Sequence, residues 1–220
     1  MSKIDTKSVR NKAVDMMNDL KGIVVLYMDC DREKAAIESN TTFARAYKDG
    51  QLAAVNEKVA AAAKTKFESL QRNYEGLIEV MRINDNIYDF SAPEFGACVA
   101  LISAADKALP YETVLGIAGK FLGNRQALLA LTEVAKGTNK DVFKRMVFNT
   151  ETEAEKLQSR LIELEINFPK SILMVPAFRD DVIRIAAACG EDLTETEKDL
   201  GAGYQDIVMM QTRAAMGLPN

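Results

Sequence analysis

Apolar residues recur along this chain in steps of three and four, and no stretch alternates convincingly in steps of two. The first spacing gathers side chains on one face of a helix and the second on one face of a strand, so the pattern predicts an all-α fold. The clearest stretch is residues 51–82, which hold no proline and a single glycine. Leu52, Val55, Val59, Ala63, Phe67, Leu70, Tyr74, Leu77 and Met81 form one stripe, and Glu57, Lys58, Lys64, Glu68, Arg72, Glu75 and Glu79 occupy the opposite face. A rod of this length spans about 48 Å at roughly 1.5 Å per residue. It calls for a second long helix, in the same chain or in a partner, in the manner of a coiled coil.

Upstream, Val9, Ala13, Met16, Met17, Leu20, Ile23, Val24 and Tyr27 keep helical spacing over residues 6–38. Gly22 weakens that helix by about 1 kcal/mol relative to alanine. A competing reading breaks the chain at Gly22, makes residues 23–28 a buried strand, and leaves Asp29 and Asp31 as a nucleophile and a magnesium ligand. The turn residues Asn40 to Thr42, then Asp49 and Gly50, predict helix, short helix, long helix, folded as an antiparallel hairpin over residues 1–88. The boundary falls at residues 83–90. Asn84, Asp85 and Asn86 there lack the glycine and terminal glutamate that a calcium loop requires.

Residues 91–220 predict a compact multi-helix bundle. Ser91 with Glu94, Thr150 with Glu153 and Thr194 with Glu197 have capping-box spacing. Residues 95–108 read as a buried helix, and Gly116, Gly119 and Gly123 as a close helix crossing. Asn124 caps a helix running to Lys136, with Gly137 closing it; residues 139–148 form another. Residues 150–167 are a Glu-rich helix with the stripe Leu157, Leu161, Leu164 and Phe168. Pro176 begins a helix over 177–189 that Gly190 closes, and residues 204–216 form the last, before Gly217 and Pro219.

Composition narrows the chemistry mainly by what is missing. Among 220 residues there is no histidine and no tryptophan. Triads built on histidine, zinc peptidases and Cys2His2 fingers are thereby excluded. Cys30, Cys98 and Cys189 lie too far apart in sequence for a redox pair or clustered zinc site, and read as buried apolar residues of a reducing compartment. A net charge of −4 argues against a general phosphate-binding surface. The apolar run at 23–28 is too short to span a membrane. The expected setting is therefore cytoplasmic, or virion-associated if the chain is phage-derived.

Four clusters remain as candidates. Residues 131–146 suggest a degenerate helix-turn-helix, with Lys136, Lys140, Lys144 and Arg145 as weak nucleic-acid contacts. Asp180 and Asp181, flanked by Arg179 and Arg184, read as a helix surface with internal ion pairs rather than a metal site. Glu191, Asp192, Glu195, Glu197 and Asp199 read as a solvated helix start. The ten methionines read as core filling. No catalytic, cofactor or metal residue is expected, and the chain is not expected to be an enzyme. The expected function is a structural or protein-interaction role, with an assembly component of a phage-like or mobile-element particle as one context. The surface for self-association or a helical partner would be Leu52, Val55, Val59, Phe67, Leu70, Tyr74 and Leu77; nucleic acid and membrane are not expected partners. The alternative is a small DNA-associated regulator using residues 131–146.

Overall fold

A computed structural model describes residues 6–86, 88–105 and 108–217. Among these residues the chain is all-α: α1 Thr6–Ser39, α2 Arg45–Asn86, α3 Pro93–Ala104, α4 Tyr111–Gly119, α5 Arg125–Val134, α6 Thr138–Met146, α7 Thr150–Ile166, a 3-10 turn Lys170–Met174, α8 Val175–Ala188, α9 Glu195–Lys198 and α10 Ala202–Ala215. The chain divides into two compact units. One holds α1 up to Lys12 together with Glu75–Glu155 and Ile183–Leu193; the other holds Ala13–Tyr74, Lys156–Val182 and the chain from Thr194 on.

In the second of these units α1 and α2 pair as an antiparallel hairpin. Asp19 accepts a hydrogen bond from Asn73 at 2.8 Å, Gly22 lies under Lys66, Glu33 meets Lys58 at 3.2 Å, and the Glu38 carbonyl accepts from Lys48 at 2.6 Å. Partner numbers on α2 fall as those on α1 rise, as antiparallel packing requires. Ile23 to Met28 are helical, so the strand that would have presented Asp29 and Asp31 does not form. Gly22 is tolerated inside α1 because α2 approaches it closely: a Cβ there would meet the Lys66 stem at 3.1 Å.

The expected short helix and the turn at Asp49-Gly50 are also absent: α2 begins at Arg45 and Gly50 lies within it. The turn comes earlier, where the Asn40 side chain accepts the Thr42 N–H at 2.9 Å and the Thr42 hydroxyl at 2.6 Å. Arg45 then bridges to Asp49 across one helical turn, which supports helix on both sides of the glycine. In the same unit Leu157, Leu161 and Leu164 of α7, Phe178 and Val182 of α8 and Ile207 of α10 are all buried. Gly203 lets α10 settle against Met28 and Val24.

In the other unit α6 packs on α5 and α4, and α5 on α3. Phe95, Ile102, Ile117, Phe121, Leu128 and Phe143 centre its core. Tyr88, Phe90, Phe95 and Phe121 meet edge to face at 5.1–6.0 Å, the arrangement that ring quadrupoles favour. Helix α3 buries Phe95, Cys98 and Ile102 but leaves Leu101 half exposed, so it lies on the core rather than inside it; residues 106 and 107 of the expected longer helix lie outside the described residues.

Of the expected caps, Asn124 accepts the Ala127 N–H at 2.9 Å and Thr194 forms a complete capping box with Glu197. Helix α8 ends in the expected glycine turn, with Gly190 N–H on the Ala187 carbonyl and Glu191 N–H on Ala186, both at 2.9 Å. The other two capping boxes do not form. Asp89 takes both the N–H and the hydroxyl of Ser91, and α3 starts at Pro93 with no side-chain cap. Asn149 caps α7, leaving Thr150 buried and Glu153 paired with Arg184. Helix α5 stops at Val134, and Gly137 is the N-cap of α6 rather than the end of α5.

A Cβ on Gly116 or Gly119 would meet no atom within 4 Å, so the expected crossing is not made there. Gly123 makes the close approach instead. Its φ is +76°, and a Cβ on it would stand 2.9 Å from the Cys189 carbonyl oxygen. Gly123→Ala should lower the unfolding free energy by about 2 kcal/mol or more, combining left-handed strain with a backbone collision. Gly50→Ala, in an exposed helix interior with nothing within 4 Å, should raise it by up to about 1 kcal/mol. Chemical denaturation of the two variants reads both signs.

Candidate interaction surfaces

The α2 stripe is buried within the chain itself. Val55, Val59, Phe67, Leu70, Tyr74 and Leu77 are all buried, and Leu52 is half-buried. Val55 and Val59 close over Cys30, and the Phe67 ring meets Phe168 edge-on at 5.6 Å. A second molecule reaches these side chains only if the hairpin opens, so surfaces for association have to be sought elsewhere.

Several of the carboxylates singled out by sequence have a local task. Asp29 pairs with Arg32 at 3.2 Å on the exposed face of α1. Asp180 and Asp181 point apart: Asp180 is exposed beside Arg179 at 3.0 Å, whereas Asp181 is buried against Arg160 at 2.7 Å. Arg179 also donates to the Lys198 carbonyl at 2.9 Å and lies 5.1 Å over the Tyr204 ring. In the acidic cluster, Glu191 lies 3.9 Å from Arg10, Glu195 pairs with Lys198 at 2.9 Å, Glu197 completes its cap and Asp199 accepts the Gly201 N–H at 2.9 Å. Arg82 grips Glu151 through two bonds of 2.7 and 2.6 Å, which hold that carboxyl below its ordinary pKa. Cys189 is buried at the end of α8.

Residues 131–146 do form two packed helices joined by a three-residue turn, 135–137. Phe143 anchors α6 in the core, and the Asn139 amide is buried against the backbone of Leu109, bonding both of its groups, at 2.8 and 3.3 Å, when the amide oxygen faces the Leu109 N–H. Asn139 and Phe143 stand one turn apart, so the helix is held by one face. Lys136, Lys140, Lys144 and Arg145 are consequently exposed, with Lys140 drawn to Glu133 at 3.8 Å.

Two features lie off the stripes that periodicity picks out. The first is a groove of about 350 Å³ between α4, α6 and the end of α8, lined by Tyr111, Val142, Met146 and Phe148 with Arg145 and Arg184 among its walls. Arg184 is paired with Glu153, whereas Arg145 has no acidic partner among the described residues. The second is a ridge on α7, where Ile162 and Ile166 are 45% and 74% exposed, one turn apart, with exposed Glu163 and Glu165 beside them. Neither glutamate meets a cation among the described residues. The two isoleucines are detectable in sequence as apolar residues off the Leu157–Leu161–Leu164 stripe; the groove, assembled from three helices, has no linear signal.

Among the described residues no three Cys, Asp or Glu side chains gather as a metal site, and no helix is long and apolar enough to cross a membrane. The chain matches no protein-family model, no curated protein and no solved structure.

Leu70 tests the assignment of the stripe, being fully buried in the hairpin. Leu70→Ala should lower stability by about 2–5 kcal/mol, by the same amount at every protein concentration. A loss that grows with protein concentration would mean that the residue packs against another molecule.

Proposed function

We propose that this chain is a non-enzymatic structural protein that works by associating through its helical surfaces, with copies of itself or with another helical protein. The observation that carries the reading is the exposure of large apolar side chains beside charges that meet no opposite charge among the described residues, seen at Ile162 and Ile166 on α7 and at Tyr111 near Arg145. Scattered surface apolar residues are ordinary, but an apolar ridge or groove rimmed by polar groups is how association surfaces are built. Phe43 and Tyr47, stacked edge-on at 4.8 Å and exposed at the α1–α2 turn, add an aromatic pair of the kind that anchors interfaces. A component or assembly factor of a phage-like or other mobile-element particle is one role such a protein would fill.

Light scattering behind a sizing column should give multiples of the 24.3 kDa chain mass, rising with concentration. The single-chain mass at every concentration overturns self-association and leaves an external helical partner.

The second reading, a DNA-associated regulator, is favoured by the exposed Lys136, Lys140 and Lys144 at four-residue intervals along the turn and α6. It predicts that duplex DNA binds with an affinity falling steeply as salt rises, and that reversing these three charges abolishes binding. Retained binding in the reversed variant, or no binding at low salt, ends that reading.

A further inference from the structure

We infer that the α4–α6–α8 groove of one copy receives the α7 ridge of a second copy, so that the chain assembles groove to ridge. The inference rests on the self-association reading and names its two faces.

The groove sets the size of its occupant. About 350 Å³ is near the lower end of the roughly 300–1,000 Å³ typical of pockets that enclose a drug-sized ligand. A volume of that kind suits a few aliphatic side chains better than a large cofactor. Its walls are predominantly apolar, and burying Ile162 and Ile166 there would remove exposed hydrocarbon from water on both partners.

Charge determines which apolar partner fits. Arg145 lies at the groove without an acid among the described residues, and a guanidinium pairs well with a carboxylate held in its plane. The ridge brings Glu163 and Glu165, the one on either side of the isoleucine line, both without a cation among the described residues. An anionic apolar helix is therefore the complement of this groove, and the chain carries one.

The two faces are different surfaces, so a single contact leaves one groove and one ridge open: two copies that fill each other's grooves close as a two-fold dimer, and otherwise assembly continues until it closes in a larger ring or extends as a filament.

Cross-linking and charge exchange test the contact. All three native cysteines are buried, so engineered surface thiols react with little background. Ile166→Cys protein mixed with Tyr111→Cys protein should yield a covalent dimer with a short bismaleimide, and neither variant alone should. Arg145→Glu places an acid against the acidic ridge, and Glu163→Arg with Glu165→Arg places cations against Arg145, so each protein alone should run as a monomer. Mixed together, every groove again faces a ridge of opposite charge, and the oligomer should return. Circular dichroism confirms that these exposed substitutions leave the fold intact. An oligomer that survives Arg145→Glu, or a mixed-cysteine sample that stays uncross-linked while wild type is oligomeric, overturns the docking alone. A wild-type protein that is monomeric throughout overturns the docking and the self-association beneath it.

Discussion

The packing of α1 against α2 is the interaction on which the second unit depends. Each helix has a long apolar stripe, and Met16, Met17, Leu20, Ile23 and Leu70 are fully or almost fully buried. At about 1.5–3 kcal/mol for each large apolar side chain removed from water, that seam outweighs any local preference of the two helices. It also explains why two glycines are accommodated. Gly22 makes room for the Lys66 stem across the seam, and Gly203 allows α10 to lie against the outer side of α1.

Once the stripes are committed to one another, several ionisable groups turn out to serve the fold. Arg160 reaches Asp181, Arg179 ties α8 to the end of α9, and Arg82 and Arg184 each hold a glutamate of α7. The Arg160–Asp181 pair has the largest consequences, because a buried carboxylate without its cation is costly. The exposed pairs contribute little individually. Against that background Arg145, Glu163 and Glu165 stand out: charged, exposed, beside apolar surface and unmatched among the described residues.

The caps separate the places where local spacing suffices from those where a neighbour overrides it. Asn124 and Thr194 cap their helices through the local bonds that their spacing predicts. Ser91 has capping spacing, yet Asp89 lies two residues before it and a charged acceptor wins both of its donors. Thr150 is displaced as a cap by Asn149, and its predicted partner Glu153 finds the stronger donor in Arg184. Gly50 and Gly137 both have the sequence setting of a helix end, and neither is one. Gly50 is helical because α2 is long enough, and bridged by Arg45 and Asp49, to carry one poor residue. Gly137 opens the following helix because its positive φ suits the turn from α5 into α6.

Periodicity alone specifies the fold class, the existence and type of nearly every helix, and the identity of the core residues on α1, α2 and α7, since spacing along a helix is a local property that burial reads directly. The absence of histidine likewise removes whole classes of chemistry, because composition is the same however the chain folds. Which stripe meets which is decided by the tertiary structure. In sequence the α2 stripe is open to any partner, and in the fold α1 covers it; Ile162 and Ile166 are incidental to the α7 stripe, and in the fold they are what α7 leaves exposed. The groove beside Arg145 exists only where α4, α6 and α8 converge. A stripe records that a residue will be buried, but its partner depends on contacts far apart in the chain, and those arise only when the helices pack.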